Sequence, residues 1–216
     1  MKLSKRTQAI LKNFASINQS IVINPGNKIQ TISNTKDIFA KAEIEETFEQ
    51  TVSIYDVNEF LGTLSLFEDP DLVFSNESVT IVQGKSKQVY YYAEASVITT
   101  PPEKGVNLPS VEVTGKLSRE QLQSLIKAAG LNGATSLTFT GGSAKVWNSA
   151  VSNSNTFEID DVASAGDYEL SIAVDKLKMV ADDYNINICA KGLTHFEGTQ
   201  GIDYFVALQP NGRYSA

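Results

Sequence analysis

The sequence predicts an α+β protein built from two similar halves. Three features of the 216 residues carry this prediction: two capped amphipathic helix patterns, many short β-branched runs separated by turn residues, and the recurrence of this order in both halves. Strands joined by short turns form antiparallel sheets, and amphipathic helices cover one face of such sheets. We therefore expect each half to contain two helices against an antiparallel sheet.

The first helix is predicted from Ser4, a typical N-cap residue, to about Ser16. At about 100° per residue, its apolar side chains fall on one side and its basic side chains on the other. The apolar set is Leu3, Ile10, Phe14 and Ile17, and the basic set is Lys2, Lys5, Arg6 and Lys12. This segment is therefore a basic amphipathic helix.

A second helix is predicted to begin after Ser118, where Gln121 completes a capping box, and to stop at Gly130. Its apolar stripe consists of Leu122, Leu125, Ile126 and Ala129. Arg119 and Lys127 stand on another face of the same helix. The polar face of this helix is therefore basic as well.

The two helices open with nearly the same residues, Lys2-Leu3-Ser4-Lys5 and Lys116-Leu117-Ser118-Arg119. A second pair of similar segments covers residues 53–61 and 171–179 and predicts a short helix at 56–66 and another at 174–179. These repeats indicate an internal duplication.

β-branched runs bounded by turn residues predict the strands. The residues from Asn24 to Asn27 separate Ile21–Ile23 from 29–33, which predicts a hairpin. The other predicted strands are 38–44, 48–54, 79–83, 88–93, 136–140, 144–148, 195–197 and 202–208.

Consecutive prolines mark the boundary between the halves, in the stretch from Thr99 to Gly105. Proline interrupts both helices and central strands. We expect an N-terminal domain at 1–97, a linker at 98–110 and a C-terminal domain at 111–216.

Charge is distributed unevenly along the chain. The formal net charge is −7, yet residues 1–36 contain six basic residues and no acidic one. The remaining residues carry 12 basic and 25 acidic side chains. One surface can therefore attract a polyanion while the rest of the molecule repels it.

Several classes of protein are excluded by composition. The single cysteine, Cys189, cannot form a disulfide within the chain, and no Cys/His spacing typical of a zinc site occurs. No run of about 18 apolar residues is present, so we expect no membrane span. We also expect no metal and no cofactor.

Candidate catalytic residues are few, and structural roles explain them better. His195 has no surrounding nucleophile motif, and the pairs Asp160-Asp161 and Asp182-Asp183 lie near turns, where aspartate is common. Gly141-Gly142 lacks the lysine of a phosphate loop and predicts a hairpin turn. Tyr90, Tyr91 and Tyr92 fit a half-buried strand better than a base-stacking platform. The sequence therefore does not predict an enzyme.

Three blocks of residues resemble the DNA polymerase sliding clamp of T4-type bacteriophages. The first is Leu11-Lys12-Asn13-Phe14-Ala15-Ser16-Ile17-Asn18, and the second is Ile54-Tyr55-Asp56-Val57-Asn58-Glu59-Phe60-Leu61-Gly62 with Leu64-Ser65-Leu66. The third is Ala190-Lys191-Gly192 followed by Phe196-Glu197-Gly198 and Val206-Ala207-Leu208. The resemblance extends over nearly the whole chain, with the least similarity at about 72–113 and 143–162.

The resemblance implies the DNA clamp fold, with two similar domains per chain and a homotrimeric ring closed head to tail around duplex DNA. It places segments 4–16, 56–66, 118–129 and 174–179 on the inner side of that ring. The side chains it implies for phosphate contact are Lys5, Arg6, Lys12, Arg119, Lys127, Lys176 and Lys178. Segment 56–66 carries Glu59 and no Lys or Arg, so we expect it to contribute packing.

The resemblance also implies partners and a function. The clamp would tether the phage DNA polymerase without chemistry of its own, be opened by a clamp loader ATPase complex, and serve late-transcription factors. Partner tails would dock an apolar pocket formed by Leu108, Pro109, Val206, Leu208 and Pro210. The implied location is the cytoplasm of the infected bacterial host.

Two other functions stay open at this point. A structural or interaction protein that keeps the duplicated fold without binding DNA is favoured by the net acidic charge. An enzyme acting on nucleic acid would need a divalent metal held by the aspartate pairs.

Overall fold

The computed structural model describes residues 1–215 of the chain. These form two compact units, one covering residues 1–104 and the other beginning at Gly105. The division lies inside the stretch in which the sequence predicts a linker, while the domain bounds drawn from sequence stay a prediction. Among residues 1–215, no helix combines the length and the apolar character needed to cross a bilayer.

The first unit contains two helices and seven strands, all paired antiparallel. Its elements are α1 (Lys5–Ile17), β1 (Ile21–Ile23), β2 (Gly26–Ile32), β3 (Ile38–Phe48), β4 (Val52–Ile54), α2 (Val57–Leu64), β5 (Asp71–Phe74), β6 (Ser78–Gln83) and β7 (Ser86–Tyr91), with a 3₁₀ turn at Ala95–Val97. Strand β1 pairs with β4, β2 pairs with β3, and β5, β6 and β7 form a three-stranded sheet.

The hairpin predicted through the turn from Asn24 to Asn27 is wrong. Strand β1 pairs with β4, so that Ile21 stands opposite Ile54 and Ile23 opposite Val52. All four of these side chains are buried, so each strand supplies the apolar partner that the other needs. Strand β2 pairs with the longer β3. The turn residues therefore carry the chain from one sheet into another.

Helix α1 begins where its sequence predicts. The Ser4 side chain accepts a hydrogen bond from the Thr7 backbone N–H at 3.1 Å, which satisfies one of the N–H groups left open at a helix start. The buried face of the helix comprises Thr7, Ile10, Leu11, Phe14 and Ile17. Burial of this face fixes which side of α1 meets solvent.

A buried carboxylate, Glu46, holds the start of α1. Along β3, Glu46 lies on the same face as Ile44 and Phe48, which are both buried. Its side chain accepts hydrogen bonds from the Ser4 backbone N–H and, at 2.5 Å, from the Thr7 hydroxyl. Burial raises the pKa of this carboxyl, but the hydrogen bonds outweigh burial and hold the pKa below its usual value.

Over residues 105–215, the second unit has one α-helix and nine strands. Its elements are β8 (Val113–Leu117), α3 (Arg119–Asn132), β9 (Ser136–Thr140), β10 (Ser143–Trp147), β11 (Phe157–Ile159), β12 (Tyr168–Ala173), a 3₁₀ turn (Val174–Lys176), β13 (Tyr184–Cys189), β14 (Leu193–Gly198), β15 (Ile202–Ala207) and β16 (Arg213–Tyr214). One sheet has the order β11-β10-β9-β12-β16, and strands β8, β13, β14 and β15 are joined in that order in another. All of these pairs are antiparallel.

Two helix predictions in this unit need correction. Helix α3 has the predicted capping box but runs past Gly130 and ends at Asn132, because Gly133, with φ +59°, takes the left-handed C-cap position. The helix predicted at 174–179 is a single 3₁₀ turn, Val174–Lys176. After it, Leu177 and Met179 are buried and Lys178 is not. This two-residue alternation suits extended chain.

Two strand edges are covered by the chain itself. At β5, the Met1 amino group donates to the Leu72 carbonyl, and the Leu72 N–H donates to the Met1 carbonyl at 2.7 Å. At β8, the Lys116 N–H donates to the Val162 carbonyl at 2.9 Å. Strands β7 and β11, in contrast, each pair with one neighbour among the described residues.

We predict that Glu46→Gln lowers the free energy of unfolding by about 1 to 3 kcal/mol at pH 7, because it removes the charge from two hydrogen bonds. The folded pKa of Glu46 is lowered, so its contribution is fully present above the unfolded pKa of about 4.3 and is lost as pH falls through the folded pKa. Urea denaturation of the two proteins from pH 7 to pH 3 measures the difference.

The control for this prediction is Glu45→Gln, which changes an exposed glutamate on the same strand. A loss of stability in Glu46→Gln that is the same at every pH, or one equal to that in Glu45→Gln, would contradict the role of the Glu46 charge.

A second prediction concerns the covered edge of β8. A Cβ at Gly115 would stand 2.2 Å from the Val162 carbonyl oxygen, so Gly115→Ala forces the covering segment away and costs about 1 to 3 kcal/mol. Gly130→Ala is the matched control, because its Cβ meets nothing within 4 Å and alanine in a helix gains about 0.5 to 1 kcal/mol. Chemical denaturation that finds equal effects for the two variants would refute the prediction.

Candidate nucleic-acid interface

The exposed side of α1 carries two lysines. Lys5 and Lys12 are both exposed, as are Ala9 and Ser16. Lys5 and Lys12 are seven residues apart, which places them on one line of the helix about 10 Å from each other. No acidic partner is found for either lysine among residues 1–215. Both positive charges therefore remain available to an external anion.

Three of the other four basic residues in residues 1–36 interact within the unit. Arg6 is half-buried, and its guanidinium donates to the Glu43 carbonyl at 2.8 Å. Lys2 forms an ion pair with Asp69, and the Lys28 ammonium lies 3.4 Å from the Glu43 carboxylate. Fewer basic side chains of this unit are therefore available to an external anion than the sequence indicates. The hydrogen bond of Arg6 also holds α1 against β3.

Helix α3 of the second unit presents Arg119 and Lys127 on its exposed side. Its buried face is Leu122, Leu125 and Ala129, so Ile126, which the sequence assigns to the apolar stripe, stands at the margin and is 39% exposed. The N–H of Arg119 donates to the Asp183 carboxylate at 2.8 Å. This acceptor adds to the capping box in fixing the start of the helix.

Lys176 and Lys178 differ from the other predicted contacts. Neither lies on an α-helix, and both side chains are half-buried. The Lys176 ammonium lies 3.4 Å from the carboxylate of its neighbour Asp175, and Lys178 also has an interaction within the chain. We expected both lysines to lie on the exposed face of a helix, and they do not.

Helix α2 contributes packing, in agreement with its sequence. Asp56 caps its N-terminus by accepting from the N–H groups of Asn58 and Glu59, at 2.9 and 3.0 Å. Its buried residues are Val57, Phe60 and Leu64. The Phe60 ring meets the Tyr90 ring edge to face, with centroids 5.3 Å apart. Tyr90 is therefore a packing residue.

The five residues predicted for a partner pocket differ in how far their side chains are exposed to solvent. Val206 has no exposed surface, so its side chain belongs to the core of its unit and cannot meet a partner directly. Leu108 and Leu208 are half-buried, and Pro109 and Pro210 are exposed. The Leu208 N–H donates to the Gly192 carbonyl at 2.9 Å, which continues the pairing of β15 with β14.

Sheet geometry brings the two leucine segments to the same end of the β13–β15 sheet. Ser110 lies 3.3 Å from the sulfur of Cys189, the last residue of β13, and Cys189 stands opposite Leu193. Leu193 in turn stands opposite Ala207. Leu108 and Pro109 directly precede Ser110, and Leu208 directly follows Ala207. These residues therefore lie at the same end of this sheet.

The residues considered for catalysis have structural partners. Asp182 is buried and accepts hydrogen bonds from the Thr199 hydroxyl at 2.7 Å and from the Gln200 N–H at 2.9 Å. Burial raises the pKa of Asp182, but these hydrogen bonds outweigh it and lower the pKa below the usual value. The carboxylate therefore holds the turn between β14 and β15 in its charged form.

The remaining candidates are also explained by packing. The His195 ring stacks on Phe205, with centroids 4.2 Å apart, and its Nε2 lies 3.6 Å from the Asp203 carboxylate. Asp160 accepts from the Ser143 hydroxyl at 2.8 Å. Gly141 and Gly142 form the turn between β9 and β10, as predicted. Within residues 1–215, no cluster of three or more His, Cys, Asp or Glu side chains is able to hold a metal ion.

Comparison with known families and relatives gives a consistent result. The model described as DNA polymerase processivity factor matches residues 2–100, and the model described as gp45 sliding clamp, C terminal, matches residues 114–210. The sliding clamp of Vibrio phage KVP40 is 34% identical over 97% of this chain and 99% of its own length. The sliding clamp of Enterobacteria phage T4 is 29% identical over 99% of both chains.

Solved structures agree at the level of the fold. The PCNA2-PCNA3 complex of Sulfolobus tokodaii matches with a TM-score of 0.69 at 18% identity, over 97% of this chain and 99% of that one. The A. fulgidus PCNA bound to the C-terminal region of FEN-1 matches with a TM-score of 0.72 at 12% identity, over 99% and 100%. The clamp fold with two similar domains is thereby confirmed. With two family models covering its two halves and a 34% identical relative covering nearly all of it, this chain belongs to the sliding clamp family of DNA polymerase processivity factors.

Proposed function

We propose that three copies of this chain close head to tail into a ring around duplex DNA and tether the replicative phage polymerase to its template. The observation that carries the proposal is the exposed basic side of α1 in a chain whose net charge is −7. An acidic protein that exposes unpaired lysines along one helix has a directed attraction for a polyanion.

Phosphate contact in the proposed ring is electrostatic. Lys5 and Lys12 of α1, with Arg119 and Lys127 of α3, supply positive charge on helix faces whose other sides are buried. Lysine and arginine contacts to phosphate position a protein on DNA without reading its sequence. A ring held by such contacts alone is able to slide along any duplex. Arg6, Lys176 and Lys178 would add weaker contacts, because each already has an interaction within the chain.

Tethering explains how a protein without catalytic residues increases processivity. A ring that cannot leave the duplex sideways keeps a bound polymerase at a high effective concentration near the primer end. Partner tails would dock beside Leu108, Pro109, Leu208 and Pro210, with Val206 supporting the sheet beneath. The A. fulgidus PCNA structure, which holds the C-terminal region of FEN-1, supports docking of a partner's terminal segment.

The proposed setting follows from the family. A clamp loader ATPase complex would open the ring, late-transcription factors would use it as a second class of client, and the site of action would be the cytoplasm of the infected bacterial host. The competing hypothesis, a structural protein that does not bind DNA, predicts no effect of the α1 lysines on any property that involves DNA.

The DNA contact is tested by Lys5→Glu combined with Lys12→Glu. We expect the affinity for a duplex to fall, because two attractive charges per chain become repulsive. We also expect the slope of log K against log salt concentration to become shallower by about 0.9 for each phosphate that the variant no longer neutralises. Fluorescence anisotropy with a labelled duplex at several salt concentrations measures both quantities.

The control is Lys36→Glu combined with Lys104→Glu, which makes the same charge change at exposed positions away from α1. Equal loss of affinity in the two double variants would show a dependence on net charge alone. Unchanged affinity in the α1 variant, with its oligomeric state intact, would favour the structural hypothesis.

The partner site is tested by Leu108→Ala combined with Leu208→Ala. We expect about tenfold weaker binding of a peptide from the polymerase C-terminal tail, because truncating apolar anchors in a docking site commonly costs more than about 1 kcal/mol. Leu131→Ala is the control, since Leu131 is 78% exposed on α3. Equal affinities of the wild type and the double variant, measured by calorimetry, would remove the assignment.

A further inference from the structure

The strand that leads into the first helix of each unit differs in length between the units. In the second unit this strand is β8, Val113–Leu117. In the first unit the matching residues begin at Met1, since Lys2-Leu3-Ser4 corresponds to Lys116-Leu117-Ser118. Met1 therefore corresponds to Gly115, and among the described residues the first two positions of β8 have no counterpart in the first unit.

Strand pairing agrees with this correspondence. Gly115 stands opposite Ile186 of β13. Met1 exchanges two hydrogen bonds with Leu72 of β5: its amino group donates to the Leu72 carbonyl at 3.0 Å, and the Leu72 N–H donates to the Met1 carbonyl at 2.7 Å. Leu72 of β5 therefore corresponds to Ile186 of β13.

The two units differ at the position two residues further along these strands. In the second unit, Ile188 stands opposite Val113, and their side chains are 0% and 1% exposed. In the first unit the equivalent residue is Phe74, which is only half-buried. Strand β5 pairs with β6 alone among the named strands, so no strand residue stands opposite Phe74 on its other side within residues 1–215. The first unit therefore lacks the apolar side chain that completes this layer in the second.

The backbone of Phe74 faces this unpaired side. Along an antiparallel strand, the N–H and C=O groups of every second residue point in the same direction. Both groups of Leu72 are directed towards Met1, so those of Phe74 point to the same side. The Ser75 N–H, in contrast, donates to the Ser78 carbonyl in the turn towards β6, at 2.8 Å. A donor and an acceptor at Phe74 are thus available to an extended chain.

A groove of about 490 Å³ lies beside this edge. Met1 and the residues of β5 form one wall, and the segment 47–50 that joins β3 to β4 forms the other. Its lining includes Phe48 and Leu72, which are 5% and 2% exposed. The rings of Phe48 and Phe74 meet edge to face, with centroids 5.7 Å apart. The groove is therefore apolar at its base.

The second unit shows how such a groove is filled. There, β8 pairs with β13 on one side. On its other side, the Thr114 carbonyl accepts a hydrogen bond from the Ser164 N–H at 2.7 Å, and the Lys116 N–H donates to the Val162 carbonyl at 2.9 Å. An extended chain thus lies between a strand and a connecting segment, which is the arrangement that the groove of the first unit offers.

Charge around the groove is negative. Among the described residues that line it, Glu49 has the one charged side chain, and it is exposed. Asp71, just before Leu72, and Glu77, in the turn after β5, are exposed as well. Lys2, next to Met1, is paired with Asp69. A basic side chain on an incoming segment would therefore be attracted to this site.

We propose that this groove binds an extended segment of a partner protein that adds to β5 beside Phe74. The segment places an apolar side chain where the second unit holds Val113 and carries basic residues next to it. In this mode of recognition, main-chain hydrogen bonds supply affinity and the side-chain pocket supplies specificity. Met1 occupies the next position, so the segment ends or turns outward there. The open stretch is two residues long, which suits a peptide and not the edge of another sheet.

The first test fills the groove from within. A chain extended by Val-Thr before Met1 reproduces the two residues that precede Gly115, and a chain extended by Gly-Ser is the matched control. We expect a higher urea midpoint for the Val-Thr chain, because its valine is buried in the groove. Equal midpoints would show that the groove does not accept a strand and would overturn the proposal.

The second test uses the synthetic peptide acetyl-Lys-Arg-Val-Thr-amide as the probe. We expect it to shift the amide NMR signals of Leu72, Phe74 and Gln50 in the Gly-Ser chain and to leave them unchanged in the Val-Thr chain. A peptide with aspartate in place of valine should bind at least about tenfold more weakly, because a charge would enter the apolar base. Equal affinity of the two peptides would overturn the proposed pocket.

The basic character of the partner is tested by Glu49→Lys, with Glu45→Lys as the control at another exposed position of the same strand region. We expect the probe to bind Glu49→Lys about twofold to fivefold more weakly and Glu45→Lys nearly as well as the unchanged chain. Equal affinities in the two variants would overturn the charge selection.

Three further results would overturn the proposal as a whole. The first is the absence of any shift at peptide concentrations up to about 5 mM. The second is a set of shifts that persists in the Val-Thr chain, since the peptide would then bind elsewhere. The third is a lower molar mass of the Val-Thr chain than of the Gly-Ser chain by light scattering, because the occupant would then be a second copy of this chain.

Discussion

Burial of the apolar face of α1 is the constraint on which the arrangement of charge depends. Ile10, Leu11 and Phe14 are almost completely buried, and this alone turns Lys5 and Lys12 to solvent. Glu46 fixes the start of the same helix through Ser4 and Thr7. A negative charge is thus placed at the end of the helix where the backbone dipole favours it, and it stabilises a helix whose exposed side is positive.

The same logic explains how an acidic chain has a surface that attracts DNA. Many carboxylates are used within the fold: Asp182 holds a turn, Asp183 and Asp56 cap helices, and Asp69 pairs with Lys2. The lysines on the exposed side of α1 have no such partners among residues 1–215. Net charge therefore describes the solubility of the chain, whereas the local field at a helix face describes its partners.

The sequence predicted those parts of the fold that depend on local interactions. The caps at Ser4 and Ser118 and most of the predicted strands are confirmed, because each is decided within a few residues. The predicted strand 48–54 is divided between the end of β3 and β4, and six strands were not predicted: β5, β8, β11, β12, β13 and β16. The sequence did not predict the pairing of β1 with β4, because these strands lie far apart along the chain. It did not predict the burial of Val206 either, because the alternation of side chains does not reveal which strands are covered on both faces. The sequence did indicate that Glu46 is unusual, since it occupies an apolar position in the alternation of β3. Its hydrogen-bond partners lie on another element, so its role could not be predicted from local sequence.

The covered edges of β5 and β8 have a consequence for the way copies of this chain add to one another. Met1 covers the outer edge of β5 at Leu72 and the residues near Val162 cover the outer edge of β8, so neither strand is available to pair with another copy. A copy joined head to tail in the proposed ring uses two unlike surfaces, and in the language of polymer chemistry a monomer with two unlike reactive ends is bifunctional. Such monomers form lines or cycles and cannot branch, so even at high concentration the expected products are discrete rings or linear oligomers, not a cross-linked gel.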